Sequence, residues 1–157
     1  MSGRSLTQSD LLTRLPQWRE AGSLVVTNGC FDILHVGHLR YLQACKALGQ
    51  TLIVLVNSDQ SVRNLKGPSR PIVCEADRAE LLCGLSCVDY VTLFDEESPL
   101  TLLEKIRPDF YAKGDQYTEE TLPEMPLLRK IGTQVRFVPM VLERSTTGIV
   151  ERILNTR

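Results

Sequence analysis

Hydrophobic positions along the chain fall into two alternating kinds of run. Short, nearly continuous apolar runs occupy residues 24–27, 52–56, 88–94, 109–112 and 134–140. Runs of that kind suit strands of a parallel sheet covered on both faces. Between them, apolar residues recur every three or four positions, the period of a helix with one buried side. Leu11, Leu12, Leu15 and Trp18 mark a leading helix over 6–21, interrupted by Pro16 and closed at Gly22. Val36, Leu39, Leu42, Ala44, Cys45 and Leu48 mark a helix starting near 35–37 and ending at Gly49, a residue suited to the position after a helix. Residues 60–73 carry Arg63, Lys66 and Arg70 among Gly67, Pro68 and Pro71 and read as a basic loop. A helix over 75–85 uses Ala79, Leu82 and Cys83, and Ser98-Pro99 reads as N-cap and first residue of the next. A further helix lies within 118–131, and the last opens at Ser145-Thr146-Thr147.

Strands alternating with helices at this spacing predict βαβ units and a parallel sheet. The expected fold is α/β: a single doubly wound, Rossmann-like domain of about five parallel strands over 24–157, with 1–23 as an N-terminal helical extension. Such sheets bind ligands beyond the carboxyl ends of their strands, near the point where strand order reverses. The polar stretches 27–38, 57–70, 113–117 and 144–147 all follow predicted strands.

A net charge of −1 argues against a general nucleic-acid or membrane-surface binder. No apolar run approaches the roughly 18 residues of a membrane span, and the polar start lacks a signal-peptide core, so a cytoplasmic protein is expected. Five scattered cysteines without a Cys-x-x-Cys pair fit small buried side chains better than disulfides or zinc.

Candidate chemistry concentrates at the first strand-to-helix turn. Both histidines of the chain, His35 and His38, sit there with Gly37 between them. At spacing i, i+3 both imidazoles can face one point, and a helix start favours an anion. Two imidazoles over a phosphate would stabilise charge growing in a phosphoryl or nucleotidyl transfer. Zinc lacks a third ligand at helical spacing. Asp32 is open to orienting a histidine, binding substrate, helping to hold Mg²⁺, or merely capping the helix. Lys66, Arg70 and Arg78 form a second cluster, either closing on nucleotide phosphates or simply solvated. Arg144 and the hydroxyls of Ser145, Thr146 and Thr147 would form a phosphate cradle at a helix start, or be a plain N-cap that needs only one of those hydroxyls. Lys113-Gly114-Asp115-Gln116-Tyr117 would hold a base, a ribose or an acceptor phosphate, or be an ordinary loop.

In this order these stretches resemble the cytidylyltransferase-like nucleotidyltransferases. Gly29-Cys30-Phe31-Asp32 with His35-Val36-Gly37-His38, and Ser145-Thr146-Thr147 near the end, carry the likeness across 22–154. Thr27-Asn28-Gly29, Val56-Asn57-Ser58-Asp59, Leu65-Lys66-Gly67, Ala76-Asp77-Arg78 and Val88-Asp89-Tyr90-Val91 look most like heptose 1-phosphate adenylyltransferases. The resemblance implies transfer of AMP from ATP, with Mg²⁺, to a sugar 1-phosphate such as D-glycero-β-D-manno-heptose 1-phosphate. It implies His35, His38 and Lys66 as catalytic groups. Thr27, Asn28, Gly29, Phe31, Asp32 and Gly37 would bind nucleotide, as would Asn57, Asp59 and Arg78. Lys113, Asp115, Arg144, Ser145, Thr146 and Thr147 complete that set. It implies a homodimer, and a stand-alone form whose sugar kinase is a separate protein.

One departure stands out. Those heptose enzymes usually read Lys-Gly-Gly-Asp-Tyr where this chain has Lys113-Gly114-Asp115-Gln116-Tyr117. The shifted Asp resembles cytidylyltransferases for glycerol 3-phosphate and phosphoethanolamine, so a CTP-dependent enzyme is the rival reading, beside an FMN adenylyltransferase. A non-catalytic nucleotide-binding subunit is the rival from another class.

Overall fold

A computed structural model describes residues 3–141 and 144–156. Six parallel strands run in chain order as β1 (Arg4–Ser5), β2 (Leu24–Gly29), β3 (Thr51–Asn57), β4 (Tyr90–Phe94), β5 (Phe110–Gly114) and β6 (Gln134–Val138). They line up as β1-β4-β3-β2-β5-β6. Among the described residues seven helices accompany them: α1 (Gln8–Ala21), α2 (Val36–Lys46), α3 (Asp59–Lys66), α4 (Glu75–Cys83), α5 (Leu100–Ile106), α6 (Met125–Ile131) and α7 (Thr146–Leu154). The expected doubly wound α/β sheet is what the chain forms, with a sixth strand at one edge. That strand, β1, has two exposed residues paired with Tyr90 and Val91, too short to carry any hydrophobic period.

All seven residues of β3 are buried, and the period-2 alternation of strand side chains divides β2 and β3 between two cores. Leu24, Val26, Ile53 and Leu55 pack with α1, α5 and α6 on one face, while Val25, Leu52, Val54 and Val56 pack with α2 and α4 on the other. Within the stretch 1–23, expected as an extension, Arg4–Ser5 form β1 at the sheet edge and Leu11, Leu15 and Trp18 join the first core. The Trp18 ring stacks on Tyr90 with centroids 4.1 Å apart.

Several local expectations change. Residues 59–66 are helical, because Ser58 caps α3 by accepting from Ser61 N–H at 3.2 Å. The breakers therefore delimit only 67–73. Helix α2 stops at Lys46 instead of running to Gly49, and Val36 on its first turn is exposed. Gly49 is there for space: a Cβ would come within 2.7 Å of Val25 Cγ2 and 3.0 Å of the Ser23 carbonyl. Helix α5 starts at Leu100 with Pro99 as cap, and Ser98 Oγ instead donates to Glu124 Oε1 at 3.3 Å.

Strand order reverses around β2. Successive strands run outward from it through β3 to β4, and then on its other side through β5 to β6. Pairing of β2 with β5 covers only Val25–Phe110 and Val26–Tyr111. Beyond it the two strands lack a ladder, and the crevice opens at Asn28-Gly29 and Lys113-Gly114.

Candidate functional site

A cavity of about 280 Å³ fills that crevice. Its walls come from Asn28 to Asp32 after β2, His38 and Tyr41 of α2, Lys66 at the end of α3, Lys113 to Tyr117 after β5, Met140, and Thr146 of α7. All four polar stretches thus contribute to one cavity, because parallel strands deliver their carboxyl ends to one edge.

The floor is a polar tether between β2 and β5. Asn28 Oδ1 accepts from Lys113 Nζ at 3.0 Å and from the Tyr111 hydroxyl. The Lys113 ammonium also lies 5.2 Å from the Tyr117 ring centre and 5.9 Å from that of Tyr111. Burial lowers the Lys113 pKa below the ordinary lysine value, against the opposing pull of the Glu124 carboxylate. Glu124 is itself 5% exposed, and its Oε2 has no protein partner. With Asn28 Oδ1 committed, the Asn28 amide N–H₂ remains for a ligand.

The two histidines build the start of α2. His35 is its N-cap, with Nδ1 accepting from Gly37 N–H at 3.1 Å, while His38 Nδ1 accepts from His35 N–H at 3.4 Å. A neutral imidazole whose Nδ1 accepts must carry its proton on Nε2. That tautomer is assigned from the hydrogen bonds and makes both side chains Nε2–H donors. The rings stack, centroids 3.9 Å apart at 26°. Burial, then the charges of His35 and Lys66, push the His38 pKa down to about 4. Burial and the Arg144 charge also lower that of His35. Both are neutral donors at pH 7. The two open onto different spaces, contrary to the expectation of a common focus. His38 lines the central cavity, whereas His35 lines an adjoining groove with Arg144, Ser145, Glu151 and Arg152.

Glycine is required at two points here. A Cβ on Gly37 would lie 2.8 Å from His35 Cε1, and one on Gly29 would lie 3.0 Å from the Phe31 ring. Phe31 and Ile33 adopt positive φ, 50° and 46°, a costly conformation for non-glycine residues that is held by the surrounding contacts.

Several candidates lie outside the cavity wall, or line it while bonded to protein partners. Thr27 is fully buried and spans to Tyr41 and the Ala112 carbonyl. Asn57 donates to Ser61 Oγ, and Asp59 is engaged by Arg78. Arg78 has no exposed surface and donates to the carbonyls of Cys30 and Val73 and to Asp59 Oδ1. Asp115 accepts from Met140 N–H at 3.2 Å and lies outside the cavity wall. Asp32 does not cap α2. Its buried carboxylate accepts from Ile72 N–H and Val73 N–H, both at 2.9 Å, and from Arg70 at 3.4 Å. Burial raises its pKa, but those donors outweigh burial and the net shift is downward. Ser145 caps α7, accepting from Gly148 N–H at 3.0 Å, and Thr146 donates to the Asp32 carbonyl. Thr147 lines neither the cavity nor the groove.

Sequence reasoning missed Tyr41 and Met140 in the wall, and Tyr111 and Glu124 behind it, while Gln116 and Tyr117 entered only as part of the turn after Lys113 and Cys30 only as part of the Gly29–Asp32 motif. Tyr41 and Tyr111 carried a detectable cue, being tyrosines on otherwise apolar faces.

Among the described residues no group of three or more His, Cys, Asp and Glu side chains is placed to hold a metal. Asp32, the carboxylate nearest that role, already accepts one backbone N–H on each of its oxygens. The donor set does not make a resident divalent-metal site, so a divalent metal would enter with the phosphates of a nucleotide, as part of the substrate.

Comparison with known proteins extends this geometry. The family model for cytidylyltransferase-like proteins matches residues 26–152. The bifunctional protein HldE of Syntrophotalea carbinolica is 50% identical over 137 residues, 87% of this chain and 28% of the relative. HldE of Magnetococcus marinus is 48% identical over 141 residues, 89% of this chain and 29% of the relative. The chain therefore spans under a third of these curated relatives. Among solved structures, the lipopolysaccharide core biosynthesis protein from Thermoplasma volcanium superposes with TM-score 0.64 and 33% identity, over 76% of this chain and 97% of that one. Pantothenate synthetase from Thermus thermophilus, TM-score 0.60 at 20% identity over 89% of this chain and 63% of that one, shares the fold alone. With the model match running through the histidine turn and the hydroxyl-bearing helix, the chain belongs to the cytidylyltransferase-like family of nucleotidyltransferases.

Proposed function

We propose that the chain transfers AMP from MgATP to a sugar 1-phosphate, with D-glycero-β-D-manno-heptose 1-phosphate as the acceptor, giving ADP-heptose and magnesium pyrophosphate. The observation that carries this reading is the pair of neutral Nε2–H donors at the start of α2, beside Lys66 and the Asn28–Lys113 tether. A sugar-phosphate oxygen attacks the α-phosphorus, the bond from that phosphorus to the bridging oxygen breaks, and pyrophosphate leaves with the electron pair. The attacking phosphate monoester, with a second pKa of about 6, is already ionised at pH 7, so no general base is needed. Catalysis is then positioning plus charge stabilisation.

Within the cavity His38 donates to the α-phosphate and Lys66 meets the triphosphate. His35, Arg144 and Ser145 receive the β and γ phosphates in the groove beside it. Gly29, Phe31 and Gly37 leave room for the nucleotide, and Thr146 lies between the two spaces. Lys113, Gln116 and Tyr117 hold the acceptor side. Of the sequence candidates, Thr27, Asn57, Asp59 and Asp115 support these groups without touching the ligand, and Thr147 lies outside both spaces.

Support for the heptose acceptor comes from the HldE relatives and the Thermoplasma core-biosynthesis protein. The resemblance to the heptose enzymes adds a sugar kinase, as a separate protein, that supplies the acceptor. A homodimer working in the cytoplasm belongs to the same reading. Separately, no helix among the described residues is long and apolar enough to cross a membrane.

Pyrophosphate release tests the proposal, using ATP or CTP, with Mg²⁺, against heptose 1-phosphate, glycerol 3-phosphate, phosphoethanolamine and FMN. Turnover with ATP and heptose 1-phosphate is expected. Turnover only with CTP moves the reading to the cytidylyltransferases, and nucleotide binding without any turnover to a non-catalytic subunit.

A further inference from the structure

Asp32 makes two unlike sets of bonds in opposite directions. Its side chain holds the segment after α3: the carboxylate accepts the consecutive N–H groups of Ile72 and Val73 at 2.9 Å each, with Arg70 at 3.4 Å. Its main chain holds α7, through the Thr146 hydroxyl donated to the Asp32 carbonyl. One residue thus joins the two arms that flank the cavity. The first arm ends the helix that presents Lys66, and the second begins with Ser145 and Thr146.

Three further observations make this a built device. Asp32 is 3% exposed, so its carboxylate has surrendered water for those three donors and is held by them. The residues on either side, Phe31 and Ile33, both sit at positive φ, which aims the Asp32 side chain and carbonyl at a standing conformational cost. Arg78 closes the same circuit from below. It donates to the Val73 carbonyl and the Cys30 carbonyl, so Val73 is pinned to the histidine turn at both its N–H and its C=O.

We infer that Asp32 is a positioning residue that couples the α3–α4 arm to the start of α7, so that the two arms are ordered together, and that it is neither a metal ligand nor a phosphate contact. A carboxylate is needed because two adjacent N–H groups and a guanidinium all donate, and an amide side chain has only one acceptor oxygen. The functional consequence, a common setting for Lys66 and Thr146 around a triphosphate, rests on the nucleotidyltransferase reading. The coupling itself does not, and it is measured without nucleotide.

Amide hydrogen exchange on the full chain, free of nucleotide and metal, reads it. Asp32→Asn is expected to speed exchange at Ile72 and Val73 by about tenfold or more, and with it exchange at Gly148, whose N–H closes the first turn of α7. Thr146→Val touches only the other arm. Through residues 31–33 it is expected to speed exchange at Ile72 and Val73 as well, while amides of β3 keep their protection. If Thr146→Val leaves Ile72 and Val73 unchanged, the arms are independent and the inference fails. This second variant stands even if Asp32→Asn does not fold. A third measurement separates the roles: a metal ligand would make the Mg²⁺ concentration for half-maximal activity rise several-fold in Asp32→Asn, whereas a positioning residue leaves it where it is. A rise there, with unchanged exchange at Ile72 and Val73, overturns the assignment. Loss of all activity in the wild type would instead count against the proposed reaction and leave the exchange result intact.

Discussion

His35 and His38 stack with ring centroids 3.9 Å apart, yet the first lines the groove beside α7 and the second the central cavity. One helix start therefore offers an Nε2–H donor to each of two adjoining spaces. A triphosphate lying across both would meet His38 at one phosphorus and His35 at the next.

Replacing His38 by Ala is expected to lower kcat by about 10²-fold or more while leaving ATP affinity nearly unchanged, because its hydrogen bond strengthens as charge develops. Steady-state kinetics together with equilibrium nucleotide binding check this. Collapsed affinity with a normal residual kcat would show that His38 serves ground-state binding.

Acid should destabilise the nucleotide-free protein through the same residue. The folded pKa of His38, about 4, lies below the unfolded value of about 6.5, so between them the unfolded chain holds more protons. The favourable contribution is complete above about pH 6.5 and is lost as the pH falls from there toward about 4. The loss is about 2 kcal/mol after discounting for the ring's partial exposure. His35, lowered by burial too, acts with the same sign. Melting temperatures across this window should fall less for His38→Gln than for wild type, and identical slopes would refute the assignment.

Gly37→Ala and Gly114→Ala should behave differently although both crowd a neighbour. At Gly37 the new carbon lies 2.8 Å from Cε1 and 2.9 Å from Nδ1 of His35, whose ring is fixed as a helix cap. Displacing it costs about 1 kcal/mol and at least roughly tenfold in kcat. At Gly114 the close atoms are the amide end of Gln116 and the Cγ of Met140, both on flexible unbranched side chains that can swing aside. Melting curves and turnover of the two variants decide the order.

Lys66 and Arg78, read together from sequence as one basic cluster, should separate cleanly. Lys66 is an exposed residue at the end of α3 lining the cavity, so Lys66→Ala should change stability by less than about 0.5 kcal/mol while kcat/KM falls by about 10²-fold. Arg78→Leu strands the Asp59 carboxylate and two carbonyls, and should cost about 3–5 kcal/mol. Urea unfolding midpoints measure the difference. A stable Arg78→Leu variant that has lost only nucleotide affinity would restore it to the ligand-binding set.

Strand and helix periods are local properties, and so the parallel α/β order and the positions of β2 through β6 were readable from hydrophobic spacing. The histidine turn was readable for the same reason: His35, Gly37 and His38 act within one helical turn. Arg78 and Asp32 show where that legibility stopped. Both are charged residues beside a polar stretch, yet their partners at Cys30, Asp59, Ile72 and Val73 are supplied by folding, and no spacing in the sequence indicates that their charges are already spent. Tyr41, Tyr111 and Glu124 failed in the opposite direction, since a buried hydroxyl or carboxylate behind a cavity is found only by seeing what it faces.

By itself the sequence determined a two-sided parallel sheet whose strand ends carry a pair of histidines, a lysine and a hydroxyl-bearing helix start. Which of those groups line one cavity was settled by the folded arrangement alone. That choice depends on side-chain direction and on competition among hydrogen-bond partners brought together from distant segments. It turned the histidine pair from one focus into two donors facing adjoining spaces, and Asp32 from a candidate ligand into the residue that ties the two arms of the site.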